Sequence, residues 1–242
     1  MATVDRMRAG WRRLVANSRL IAVVGVLILA DILAFTLANV PTADRFRLWA
    51  GTGLVVLVEV ALVVGWATRK LVLGVLIDNR DRYSLTHLQV VLWTTVILSS
   101  VIGVGAAKGL AGLPSELAPE LLALMGIAGG SAVLTTAVKA SKDTLGATAR
   151  VARLGKVERR NGTTKNITRR FAQIWMEEEG DLADEVVSIT KYQSLLFTAL
   201  AVVLYVIAAW AERTVPELPG SVLTLLGISQ GAYVGGKVPD KG

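Results

Sequence analysis

The sequence predicts an all-α, polytopic integral membrane protein with about six transmembrane helices. The chain has 242 residues, of which 53% are hydrophobic, and the apolar residues are concentrated in six long segments. Each segment is close to the ~20 residues that a helix needs to cross ~30 Å of hydrocarbon. The segments are residues 19–40, 48–67, 85–107, 117–138, 194–211 and 221–238.

Two parts of the chain resemble each other, which indicates an internal duplication. The stretch 84–95 aligns with 188–199, and the stretch 122–133 aligns with 223–234. Eleven of the 24 aligned positions are identical, which is more than apolar composition alone explains. Each copy is a helical hairpin. Because an even number of crossings separates them, the two hairpins are expected to be parallel repeats.

The basic residues predict the orientation in the membrane. With six spans, 22 of the 26 Lys and Arg residues fall on one side. Under the positive-inside rule, that side is the cytoplasm. Both termini are therefore expected inside, in a protein integral to the plasma (cytoplasmic) membrane. This distribution also accounts for the net charge of +7 without a nucleic-acid partner.

Composition and hydropathy divide the chain into five parts. A basic cytoplasmic or interfacial segment is followed by an N-terminal transmembrane hairpin and the first repeat, and a charged cytoplasmic linker precedes the second repeat. These parts are residues 1–18, 19–68, 84–138, 139–187 and 188–238, respectively. The linker carries a group of acidic residues at 177–185, and we expect these to pair with arginines of the same linker.

Two acidic residues, Asp31 and Glu59, interrupt the apolar segments of the N-terminal hairpin. Counted from the turn between the two helices, both lie near the middle of the bilayer. An ionised carboxylate at that depth is costly unless it is protonated, holds a cation or faces water. They are therefore candidates for an ion or proton site. The alternative is that both are protonated and stabilise helix packing through hydrogen bonds.

Glycine motifs recur at equivalent positions of the two repeats. Gly126 and Gly130 in the first copy correspond to Gly227 and Gly231 in the second. Such small-xxx-small faces let helices approach closely in lipid. The alternative is that both helices unwind there and line a pathway, since broken helices at matching positions often mark a transport site.

Polar residues near the start of each repeat are expected in the inner leaflet. Ser84 and Ser188 are placed as N-caps of the first helix of each repeat. Gln89 and Gln193 follow one turn later and form an inner-leaflet polar pair. We expect each amide to bond across its own hairpin or to its counterpart, as a structural contact or as the rim of a pathway.

No enzyme signature is present, so neither catalytic residues nor a cofactor is predicted. The chain has no Cys and one His, which leaves no ligand set for a transition-metal site. P-loop, nucleophile-elbow and metalloprotease motifs are also missing.

Two classes of function remain open. The first is a small channel or a proton- or cation-coupled transporter built from two parallel repeats. The second is a non-transporting membrane anchor or signalling module that engages a cytoplasmic protein through residues 139–191. The partners expected are the lipid bilayer, a second copy in a homo-oligomer and that cytoplasmic protein.

Overall fold

The computed structural model describes residues 25, 27–29, 31–32, 44–113, 119–144, 155–158, 164–178 and 183–235. Over these residues the protein is mainly α-helical. Residues 25, 27–29 and 31–32 are helical. The helices with defined bounds are α1 (Arg45–Arg69), α2 (Leu85–Lys108), α3 (Pro119–Thr144), α4 (Ile189–Glu212) and α5 (Gly220–Gly235).

Four of these helices are long and apolar enough to cross a membrane. They are α1, α2, the Pro119–Val138 part of α3, and α4. The predicted span 19–40 falls mostly outside the described residues. The sixth predicted span corresponds to α5, whose 16 residues cover ~24 Å at ~1.5 Å per residue. Four candidate spans indicate a membrane protein, and the count of about six stays a prediction.

The linker contains a short β-hairpin, which the all-α prediction did not include. Strand β1 (Gly155–Glu158) pairs with antiparallel β2 (Thr164–Ile167), with Gly155 opposite Ile167 and Glu158 opposite Thr164. Lys156, Val157 and Lys165 belong to these strands. Hydropathy along the chain does not detect strands as short as these.

The chain folds into two compact units, and the division falls within α2. The first unit comprises Met1–Val75 and Leu98–Gly112, so it contains α1 and the second half of α2. Here α1 packs closely on α2 at two glycines. A Cβ at Gly103 would lie 2.8 Å from the Ala50 Cβ, and one at Gly53 would lie 3.2 Å from Ile102. Glycine at these positions allows the two backbones to approach.

A tight reversal follows α1 in the same unit. Lys70 adopts a left-handed conformation (φ 58°) and donates its backbone N–H to the carbonyl of Trp66 at 2.9 Å. The chain then folds back so that Gly74 meets Gly65, where an added Cβ would lie 2.7 Å from the Val75 nitrogen. The segment after the reversal leads through a 3₁₀ turn at Gly74–Leu76.

The second unit comprises Leu76–Ile97 and Leu113–Gly242. Helix α5 packs against both α3 and α4. Buried residues at spacings of three or four form one face of α4, and Tyr205 on this face contacts Trp93 of α2 edge-on at 6.2 Å. The hydroxyl side chains of Ser194 and Thr198 share this face with apolar ones, and they form part of the polar site described next.

Candidate functional site

The two candidate acids each have a buried oxygen without a hydrogen bond. Glu59 lies two residues from the centre of α1, and Asp31 lies in the helical residues 31–32. One carboxylate oxygen of each side chain is inaccessible to solvent and has no hydrogen-bond partner among the residues that the structure describes. The described residues contain no group of three or more His, Asp or Glu side chains that is arranged to hold a metal ion. The assignment of Asp31 and Glu59 to an ion or proton site stays a prediction.

A buried polar cluster lies in the second unit, where α2, α4 and α5 each contribute side chains. The Gln89 amide donates to the hydroxyl of Ser194 at 3.0 Å and to that of Thr198 at 2.7 Å. The Gln230 amide donates to the same Ser194 hydroxyl at 2.9 Å. All four residues are buried, and we refer to them as the Gln89–Gln230 cluster. Three helices are thus joined by hydrogen bonds in the interior of this unit.

Two acceptors of the cluster are left without a hydrogen bond. The carbonyl oxygens of Gln89 and Gln230 are both buried, and neither has a hydrogen-bond partner among the described residues. The hydroxyls of Thr135 on α3 and Ser229 on α5 are likewise buried without a partner. A buried acceptor left unsatisfied costs ~1–3 kcal/mol, so this arrangement carries a free-energy penalty in the chain alone.

Gln89 and Gln193 lie in different surroundings, and their role as an inner-leaflet polar pair stays a prediction. Gln193 is exposed, whereas Gln89 bonds to Ser194 and Thr198 of α4 and not to its counterpart or across its own hairpin. Gln193 precedes Ser194 by one residue, which turns it ~100° away from the buried face of α4. In the alignment of the two copies, Thr94 stands where Thr198 stands, but Val90 and Gly129 stand where Ser194 and Gln230 stand, so the Ser194 hydroxyl has no equivalent.

The glycine motifs do not mark close helix contacts within this chain. A Cβ added at Gly126, Gly130 or Gly231 would meet nothing within 4 Å, and one at Gly227 would meet only Ile127 at 3.8 Å. Helices α3 and α5 run continuously through both motifs, and the packing and pathway roles of these glycines stay predictions. Close contacts between helices instead occur at Gly53 and Gly103. The alignment of the two copies does not point to these two glycines.

A network of charged side chains connects the segments that precede α2 and α4. Arg82 and Asp184 form a buried ion pair, with side chains 2% and 0% exposed. The amide nitrogen of Gln173 donates to the second Asp184 oxygen at 2.9 Å, and Arg170 donates to the Asp184 carbonyl at 3.0 Å. The Gln173 oxygen accepts from the backbone N–H of Tyr83 at 3.4 Å. One aspartate therefore receives donors from two distant parts of the chain.

Lys191, on the first turn of α4, is buried and paired. Its ammonium group donates to Glu178 at 2.7 Å and to the carbonyl of Met176 at 2.8 Å. The acids of the linker were expected to pair with its arginines, but Glu178 pairs with Lys191 and the side chain of Asp184 pairs with Arg82. The sequence could have indicated that these two basic residues have corresponding roles, because Arg82 and Lys191 each lie within three residues of the start of a repeat.

The two segments before α2 and α4 have the same construction. Ile77 forms an isolated antiparallel bridge with Tyr83, and Met176 forms one with Val187. Each segment ends at a serine whose backbone N–H donates to a backbone carbonyl earlier in the same segment. Ser84 donates to Leu76 at 2.8 Å, and Ser188 donates to Trp175 at 2.9 Å. In both segments the serine hydroxyl contacts that of a threonine two residues later.

The four long apolar helices define the class of the molecule, which is that of a membrane protein. Comparison of the chain with protein-family models, with curated proteins and with solved structures finds no match. The function must therefore be argued from the residues themselves.

Proposed function

We propose that the protein conducts protons or small cations across the plasma membrane and that Asp31 and Glu59 are the ionisable groups of the pathway. The observation that carries this proposal is the buried, unpartnered carboxylate oxygen on each of these residues. A carboxyl group that serves only to hold helices together needs hydrogen-bond partners for its oxygens. An oxygen that lacks one is suited to a proton or a cation that comes and goes.

The position of Glu59 supports the same proposal. It lies near the middle of a 25-residue apolar helix, and Lys and Arg occur in that helix only at its ends, namely Arg45, Arg47 and Arg69. No basic side chain of α1 is therefore at the right depth to neutralise it. Intramembrane acids of this kind commonly mark ion pathways and proton relays.

Flux through purified protein in liposomes tests the proposal. A pH gradient, and then Na⁺ and K⁺ gradients, should each be applied to the wild type, because the conducted ion is not specified. Asp31→Asn and Glu59→Gln retain shape and hydrogen bonding and cannot ionise. Each should abolish flux while expression and the thermal stability in detergent stay at wild-type levels.

A matched control is available in the loop between α4 and α5. Glu217 is exposed there, so Glu217→Gln removes one acid without touching an apolar helix and should leave flux unchanged. Full flux in the Asp31→Asn, Glu59→Gln double variant contradicts the assignment of the site. No flux in the wild type under any gradient contradicts the transport function itself.

The second candidate function is a membrane anchor or signalling module. The charged network around Asp184 and the Lys191–Glu178 pair favour it, because they hold two non-helical segments in a fixed arrangement. A fixed polar surface at the membrane suits the docking of a cytoplasmic protein. This function takes precedence if the wild type conducts no ion.

A further inference from the structure

The Gln89–Gln230 cluster has a chemistry that the acids of the first unit do not share. Its polar atoms are two amides and two hydroxyls, and it contains no Asp, Glu, Lys, Arg or His. Both N–H groups of the Gln89 amide are used within the cluster, and one of the two N–H groups of the Gln230 amide is used there. The two amide carbonyl oxygens are left without a hydrogen bond among the described residues.

Both leftover amide oxygens belong to side chains that are almost fully enclosed. Gln89 is 1% exposed and Gln230 is 6% exposed, and neither carbonyl oxygen has a partner. Because both amide nitrogens bond to the Ser194 hydroxyl, the two side chains are held next to each other. Thr198 accepts one hydrogen bond from Gln89, so its oxygen keeps one lone pair.

We propose that this cluster binds a monovalent cation, Na⁺ or K⁺, through the carbonyl oxygens of Gln89 and Gln230 and the hydroxyl oxygen of Thr198. Neutral carbonyl and hydroxyl oxygens can replace the hydration shell of a monovalent ion, as in selective ion pores. Ca²⁺ and Mg²⁺ are bound in proteins largely through carboxylates, and Zn²⁺ through His, Cys and carboxylates, so the side chains of the cluster suit neither group.

The location agrees with a site that is reached from the cytoplasmic side. Gln89 is the fifth residue of α2, ~6 Å from its start at ~1.5 Å per residue. Gln230 lies five residues before the end of α5, and Ser194 is the sixth residue of α4. The cluster therefore lies one to two turns from the helix ends that the charge distribution assigns to the cytoplasm.

The inference stands on the second unit alone and does not depend on the proposed conduction through Asp31 and Glu59. It is tested with the full-length protein in detergent, by thermal unfolding in NaCl, KCl and choline chloride at equal ionic strength. A ligand that binds only the folded state raises the unfolding midpoint. For a cation at about 100 times its Kd, the expected rise over choline is roughly 5 °C or more.

Variants show which side chains the cation-dependent rise of the unfolding midpoint requires. Gln89→Leu and Gln230→Leu each remove a proposed ligand and should abolish the difference between the alkali cation and choline, whatever their absolute stability. Gln193→Leu changes the exposed counterpart of Gln89 in the second copy and should keep the full difference. The Asp31→Asn, Glu59→Gln double variant should also keep it, which separates this site from the proposed pathway acids.

Equilibrium dialysis with radioactive sodium or potassium covers the case in which a glutamine variant does not fold. Saturable binding to the wild type and to Gln193→Leu is the expected result. Equal unfolding midpoints in all three salts, together with no bound cation, would show that the cluster holds water only and would overturn the proposal. Cation stabilisation that persists in Gln89→Leu and disappears in the acid double variant would overturn it as well, because the ion would then lie at the acids.

Discussion

Arg82 and Asp184 are 102 positions apart in the chain and form a buried ion pair with each other. The pair joins the segment that leads into α2 to the segment that leads into α4. Gln173 and Arg170 add hydrogen bonds to the same aspartate. Removal of one partner from such a pair leaves an uncompensated charge in the interior, whereas the intact network satisfies both charges.

Asp184→Asn should therefore destabilise the protein strongly. Asp184 has a left-handed backbone (φ 62°), and Asn tolerates this conformation about as well as Asp, so the substitution removes the charge with little added strain. Loss of one member of a buried pair typically costs ~3–5 kcal/mol. Thermal or chemical unfolding in detergent measures this loss, and Arg82→Gln should give a loss of similar size.

The Arg169–Asp81 pair serves as the control. It is 3.6 Å long with side chains 27% and 45% exposed, and pairs of this kind contribute less than ~1 kcal/mol. Arg169→Gln should therefore leave the unfolding midpoint nearly unchanged. If Arg169→Gln and Arg82→Gln lower stability equally, burial of the Arg82–Asp184 pair is not what makes it important.

The two serines that precede the repeat helices should differ in their contribution to stability. The Ser84 hydroxyl accepts the backbone N–H of His87 at 3.5 Å, as an N-cap does, and it also contacts the Thr86 hydroxyl at 2.8 Å. Ser188 makes no side-chain cap bond. Ser84→Ala should cost ~1 kcal/mol and Ser188→Ala less, as measured by the two unfolding midpoints in the same detergent. A larger loss for Ser188→Ala contradicts this assignment.

Glycine substitutions should distinguish packed from open positions. A Cβ at Gly103 would lie 2.8 Å from Ala50 and 3.0 Å from Phe46, so Gly103→Ala should destabilise by ~1–3 kcal/mol. Gly130→Ala adds a Cβ in open space and should be neutral or slightly stabilising, because Ala favours helix over Gly. Thermal stability in detergent measures both. An equal loss of stability in Gly103→Ala and Gly130→Ala would support close helix packing at the repeated glycines.

Hydropathy was sufficient to place the long helices. The predicted segments 48–67, 85–107, 117–138 and 194–211 each fall within or overlap a helix that can cross a membrane, because length and apolar composition decide this property. Side-chain pairing depends on which face of each helix is buried. Gln89 and Gln193 are identical in the aligned copies, yet Gln89 is buried and bonds to Ser194 and Thr198, whereas Gln193 is exposed.

The charged network was the hardest feature to predict from the sequence. Arg82 and Asp184 are neighbours only because both returning segments are folded by the isolated bridges Ile77–Tyr83 and Met176–Val187. These bridges are set by contacts between backbone groups, and periodicity of hydrophobic residues does not reveal them. The sequence alone therefore predicts that the acidic residues of the linker pair with arginines of the same linker.

The final prediction concerns topology, and the ion pair gives it a structural argument. Since Arg82 and Asp184 touch, we expect the segments before α2 and α4 on the same side of the membrane, which agrees with two crossings by α2 and α3. The excess of Lys and Arg predicts that this side is the cytoplasm. Reporter fusions after Asp81, Gly162 and Gly242 should therefore be active inside the cell. Fusions after Arg45, Leu113 and Leu218 should be active outside, and an inside signal at Leu113 would mean that α2 and α3 do not form a transmembrane hairpin.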